Sequence, residues 1–138
     1  MRRTLLFLPG NNPGNLQSGA VFGADGIILD LEDSVSPAEK DAARLLVASA
    51  LKSVDYAGVE RAVRINTLAA GGDADIAAVV PCRPDAVMLP KTESIDDIRA
   101  CEALLEKAEA ACGAMKKTLI MPLIETPMGL ARCLEIAL

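Results

Sequence analysis

Five short apolar runs, separated by stretches of helical periodicity, set the tightest limit on how this chain can fold. They lie at Leu5 to Leu8, Gly26 to Leu31, Ala62 to Ile65, Ala86 to Leu89 and Thr118 to Ile124. Near-continuous hydrophobicity, rather than strict alternation, marks strands covered on both faces. The helical stretches between them give the βαβ rhythm of a parallel sheet. Pro122 weakens the fifth run, because proline cannot donate to a strand ladder. The 138 residues suffice for one domain with a buried core. Phe7, Phe22 and Tyr56 are the only aromatic residues, so that core must be aliphatic and rich in alanine.

Helix starts and stops support the same rhythm. Ser36-Pro37-Ala38-Glu39 reads as a capping box with proline in the first helical position. Ala43, Leu46, Val47, Ala50 and Leu51 then form one apolar face. Ser94, with Asp96 and Asp97 behind it, opens a second helix whose buried side carries Ile95, Ile98, Cys101, Leu105, Ala108 and Cys112 and whose end falls at Gly113. Weaker starts stand at Asn12-Pro13, Asp73 and Pro127. No internal repeat, low-complexity tract or linker interrupts the pattern, so residues 1–138 are expected to form a single domain.

Several chemistries are excluded by what the chain lacks. It has no histidine, which removes Ser-His-Asp triads, Cys-His dyads and His-ligated zinc from its own residues. Acid-base or metal chemistry must then use carboxylates, lysine, arginine or backbone. The formal net charge of −5 argues against nucleic acid or an anionic membrane as the main partner. Cys82, Cys101, Cys112 and Cys133 show no C-x-x-C pair, and buried free thiols in a reducing compartment are expected. The apolar stretch near the start is too short for a signal peptide, and no stretch approaches a membrane span, so a soluble cytoplasmic protein is expected.

In parallel α/β folds, functional groups gather where strands end, at their carboxyl termini. Those ends carry Pro9-Gly10-Asn11-Asn12, then Asp30, Glu32 and Asp33, then Arg64 and Asn66, then Pro90-Lys91, and finally Glu125-Thr126. The first is either an ordinary Gly/Pro/Asn turn or an anion-binding loop; it is neither a G-x-G-x-x-G fingerprint nor a Walker loop. Asp30 falls between Leu29 and Leu31 and should be partly buried, which calls for a cationic partner. Arg64 should share a face with Ala62 and Asn66, either ion-paired to Asp30 or Glu32 or clamping a substrate carboxylate. Lys91 reads as a solvent-exposed end residue or a substrate contact. Glu125 is suited to a hard cation such as Mg2+, which takes oxygen ligands, keeps waters and needs only one or two carboxylates.

The strings "LLFLPGN", "GIILDLEDSV" with the following "EKDAAR", "VRIN", "MLPKTES" and "LIETPMGL" resemble, in order and spacing, the citrate lyase β chain and malyl-CoA lyase group of the HpcH/HpaI aldolase superfamily. That resemblance implies a (β/α)8 TIM barrel and Mg2+-dependent cleavage of a carbon–carbon bond in a 3-hydroxyacyl thioester. The substrate would be of the citryl-CoA, citryl-carrier or malyl-CoA type, and the products an oxo acid and an acyl thioester. It implies Glu125 as a direct Mg2+ ligand and Arg64 as the group holding the oxo-acid end. Glu32 and Asp33 would hydrogen-bond metal-bound water and orient Arg64, with Asp30 beside them. Gly10 and Asn11 of the "PGN" loop would lie near the CoA or acyl-carrier portion, with Asn11, Asp30 and Lys91 as further substrate contacts. Relatives that release pyruvate from hydroxy-oxo acids usually rely on a histidine, which is missing here.

A TIM barrel has eight strands and typically needs roughly 250 residues. Five βα units are recognisable, so the expected fold is a TIM-barrel type truncated to those units, or else a flattened five-stranded doubly wound sheet. The family's second Mg2+ ligand, an aspartate on the next strand, has no counterpart. A truncated, non-catalytic remnant acting as a binding or assembly subunit is therefore the competing functional reading. Exposed strand edges would favour homo-oligomers or association with further lyase segments. Glu125→Gln and Arg64→Ala are each expected to abolish turnover without unfolding the chain.

Overall fold

The computed structural model describes residues 2–138. Its strands are β1 (Leu5–Pro9), β2 (Gly26–Asp30), β3 (Glu60–Arg64), β4 (Ala86–Leu89) and β5 (Leu119–Pro122). The helices are α1 (Pro13–Ser18), α2 (Lys40–Ser53), α3 (Gly72–Val79), α4 (Ile95–Cys112), α5 (Pro127–Ala131) and α6 (Cys133–Ala137). All strand pairs are parallel, and their spatial order is β1-β2-β3-β4-β5. A doubly wound sheet reverses its strand order and carries helices on both faces. Here the order never reverses, which excludes the flattened alternative and leaves consecutive units of a barrel wall.

Strand periodicity assigns the two faces. Leu8, Ile27, Leu29, Val63, Ile65, Val87 and Leu89 point outward into one large core with Leu16 of α1, Val47 and Leu51 of α2, Ile76 and Val79 of α3, and Cys101 and Leu105 of α4. The opposite face holds a smaller cluster of strand residues, Ile28, Ala62, Ala86 and Met88, flanked by Met121 and Leu123. Side chains on that second face rise along the strands toward Asp30 and Arg64, so the packing that sets the strand register also aims the polar groups.

Most boundaries follow the sequence reading, with informative exceptions. Ser94 accepts from the Asp97 amide while Asp97 accepts from the Ser94 amide, a complete capping box, and α4 ends at Gly113 in the left-handed region. Ser36 does not cap in this way. Its hydroxyl donates to the Glu39 carboxylate, and a short 3₁₀ turn at Pro37–Glu39 precedes α2. Pro122 is accommodated as the last residue of β5, where a missing N–H costs least. Cys82 and Cys101 are buried free thiols, the latter pushed by burial to a pKa of about 11, whereas Cys112 is exposed because its side of α4 has left the core. The last helix is broken at Arg132 into α5 and α6.

Beyond the strands, backbone bonds continue the ladder and hold the carboxyl-end loops in a row. They run from Gly10 N to Asp30 O (2.8 Å), Leu31 N to Arg64 O (2.9 Å), Ile65 N to Met88 O (3.2 Å) and Leu123 N to Leu89 O (2.9 Å). Gly10 is required by this approach: a Cβ there would stand 2.5 Å from Asp30 O and 2.9 Å from Val47 Cγ2.

Candidate functional site

Asp30 organises the rim. It is buried, yet its carboxylate accepts from the Glu32 amide (2.9 Å), the Ser34 amide (3.2 Å), Arg64 Nε (2.7 Å) and Arg64 Nη2 (2.6 Å). Two of these bonds curl the loop after β2 back on itself, and the other two fix the guanidinium in a bidentate fork. Burial alone would raise the Asp30 pKa, but the bonds from Arg64, Ser34 and Glu32 outweigh it and hold the group below the ordinary carboxylate range. Arg64 responds in the opposite sense, raised by its bond to Asp30 against the effect of burial. The ring of Phe7, from β1, lies 4.9 Å from the Arg64 guanidinium carbon and adds a cation–π contact.

With Nε and Nη2 engaged, Arg64 presents Nη1 to the rest of the site. Nη1 lies 3.2 Å from Glu32 Oε2 and 4.0 Å from Asp33 Oδ2. Glu32 is buried, and its Oε2 has no hydrogen-bond partner among the described residues; the contact with Arg64 is an ion pair without hydrogen-bond alignment. Its other oxygen accepts from Lys91 Nζ at 2.7 Å, and Asp33 lies 3.6 Å from the same ammonium. Lys91 is thus more than the exposed end residue that the sequence suggested. Its backbone takes the left-handed conformation, φ 50°, which a non-glycine residue adopts only when its surroundings enforce it. That turn aims the ammonium at Glu32 and the Lys91 amide at Glu125 Oε1, 2.9 Å away. Bonding to Glu32 raises the Lys91 pKa.

Arg64, Glu32, Lys91 and Glu125 therefore form one connected chain at a single end of the sheet, with Asp30 behind it and Asp33 at its mouth. Asn11 stands apart: its amide donates to Glu39 Oε2 at 3.1 Å, tying the loop after β1 to the turn before α2. Asn66, expected on the Arg64 face, turns instead toward the helices. Its amide and side chain both donate to buried Asp75 of α3, which also pairs with Arg44 of α2 at 2.7 Å. Asp75 went unrecognised in the sequence because an aspartate near a helix start reads equally well as a dipole partner in solvent.

Four carboxylates (Asp30, Glu32, Asp33 and Glu125) thus face two cations, Arg64 and Lys91. The surplus negative charge, the unpartnered Glu32 oxygen and the exposed Glu125 carboxylate suit a divalent cation. Among the described residues no group of three acidic or thiol side chains is placed to cage a metal unaided. The donor set therefore fits Mg2+ held by one or two carboxylates, with water and a bound acid completing the shell. No helix among the described residues is long and apolar enough to cross a membrane.

A family model described as HpcH/HpaI aldolase/citrate lyase matches residues 3–138. The citrate lyase subunit beta of Leuconostoc mesenteroides subsp. cremoris is 44% identical over 99% of the chain, which spans 46% of that relative. An L-malyl-CoA/beta-methylmalyl-CoA lyase of Cereibacter sphaeroides is 35% identical over 98% of the chain and 44% of the relative. The chain thus spans less than half the length of these relatives. Among solved structures, RipC from Yersinia pestis superposes with a TM-score of 0.72 at 34% identity, over 99% of this chain and 53% of that one. Protein CitE from Mycobacterium tuberculosis, in complex with magnesium, acetoacetate and coenzyme A, gives a TM-score of 0.68 at 33% identity, over 96% of this chain and 43% of that one.

Proposed function

Because the chain belongs to the HpcH/HpaI aldolase/citrate lyase family, we propose that it contributes the amino-terminal half of a Mg2+-dependent carbon–carbon lyase site acting on a 3-hydroxyacyl thioester. Residues 1–138 are, on this reading, a single incomplete barrel-type domain. The observation that carries the proposal is the connected chain Arg64–Glu32–Lys91–Glu125, which joins the carboxyl ends of four strands on one rim. Relatives named for citrate lyase and malyl-CoA lyase activity support the reaction class. The CitE complex with magnesium and coenzyme A supports the ligand set.

Cleavage of a β-hydroxy thioester sends the bonding electrons to the thioester's α carbon, and the hydroxyl oxygen becomes a carbonyl. The proton lost from the hydroxyl balances the one gained at the α carbon. Glu125 and, through water, Glu32 and Asp33 would hold the magnesium ion, which when bound supplies Lewis acidity and a template for the oxo acid. Arg64 Nη1 grips the oxo-acid carboxylate, because Asp30 has already fixed the guanidinium plane and no reorganisation is needed on binding. Lys91 screens the acid cluster so that a second anion can approach. Gly10 and Asn11 border the same rim from β1 and form the side on which the CoA or carrier portion would lie.

Calorimetric titration of the purified chain with oxaloacetate or glyoxylate, with and without Mg2+, tests this. A heat of binding that requires both components is expected; oxo-acid binding that ignores Mg2+ would overturn the metal assignment. The competing reading, a non-catalytic binding or assembly subunit, draws on the lack of a self-sufficient metal cage among the described residues. Under it the chain gives no thioester cleavage even when supplied with a carboxyl-terminal lyase segment.

A further inference from the structure

The Lys40 side chain, in the first turn of α2, has no part in the chemistry above. Among the described residues its ammonium meets no carboxylate. It donates to the backbone carbonyls of Leu31 and Glu32, at 2.7 and 2.5 Å. These carbonyls belong to the loop that carries Glu32 and Asp33, and Leu31 and Glu32 are both buried. A buried carbonyl needs a donor. That of Glu32 also receives the Val35 amide at 3.1 Å. The loop is thus held from two directions, its amides by the Asp30 carboxylate and its carbonyls by the Lys40 ammonium.

We infer that Lys40 is a positioning residue for the acidic loop: a tethered cation that fixes the peptide of Glu32 so that its carboxylate stands between Arg64 and Lys91. Contact with substrate is not required of it. This inference rests on the function proposed above in one respect, that the loop's geometry governs Mg2+ and oxo-acid binding. Partners that orient metal-site groups from behind typically change affinity or activity 10–100-fold when removed.

Two measurements separate the inference from that reading. Hydrogen exchange in the Lys40→Met variant should accelerate at the Glu32, Ser34 and Val35 amides while those of β4 keep their protection. Unchanged exchange in the loop would overturn the positioning role whether or not the chain binds oxo acid. Calorimetry with Mg2+ and oxaloacetate should then show affinity about 10–100-fold weaker in Lys40→Met. Lys40→Arg, which keeps a cation in reach of both carbonyls, should recover most of it and also serves if the methionine variant fails to fold. Equal affinity in the wild type and Lys40→Met, or equal loss in both variants despite intact thermal stability, would refute it. A wild-type chain that binds nothing would defeat the proposed function, leaving the exchange result to decide the role of Lys40.

Discussion

The two ends of the sheet handle charge in opposite ways. At the amino ends of the strands, Arg2 pairs with Glu60, Arg3 with Asp25, and Arg61 and Lys116 share Asp85. Each of these three acids has a cation beside it, most of the cations face solvent, and the network stitches strand starts together. At the carboxyl ends the acids outnumber the cations that touch them, and the central groups, Asp30 and Glu32, are buried. The pairs named at the first rim balance their charges; the second carries more carboxylates than cations. Charge balance therefore tells the two ends apart, where a census of ion pairs would find them alike.

The largest break in that contrast should come from Arg64→Ala. It would abolish oxo-acid binding and leave Asp30 buried without its partner, a loss of about 3–5 kcal/mol in stability by denaturant titration. The expectation that this variant spares the fold therefore gives way to the geometry. Glu125→Gln should weaken Mg2+-dependent binding by at least about tenfold in calorimetry. Its exposed position predicts no change in unfolding midpoint.

Acid titration sharpens the comparison next. Asp30 has a depressed folded pKa, so its stabilisation is complete above its ordinary value of about 3.9 and is lost as pH falls through the lower folded value. Asp30→Asn should flatten the acid limb of a stability–pH curve, while Asp25, held down by hydrogen bonds from Arg3, keeps a remainder. The smallest effect belongs to the amino-terminal rim: Asp85→Asn should cost under about 1 kcal/mol in the same denaturant assay.

The strands, the start of α4 at Ser94 and its stop at Gly113, and the gathering of charged groups on one rim were legible in the residues, because hydrophobic period and helix-end chemistry are local signals. What could not be read was side-chain direction after a strand ends. Asn66 lies beyond the last β3 residue, where alternation stops applying, and turns to Asp75 instead of joining Arg64. Ser36 and Glu39 match a capping box, but the chain satisfies them side chain to side chain. Lys91 offered no hint of a left-handed backbone, since only the packed rim enforces it. Lys40 resembled any lysine of a solvated first turn, because carbonyl acceptors leave no mark in a sequence.

The consecutive strand order carries a mechanical consequence. Each strand is hydrogen-bonded only to its neighbours in the chain, so β1 relies on β2 alone and β5 on β4 alone. Opening should peel inward from both margins, with β3 surrendering last. The Asp30–Arg64 fork ties β2 to central β3, which anchors the charged rim in the segment that frays least.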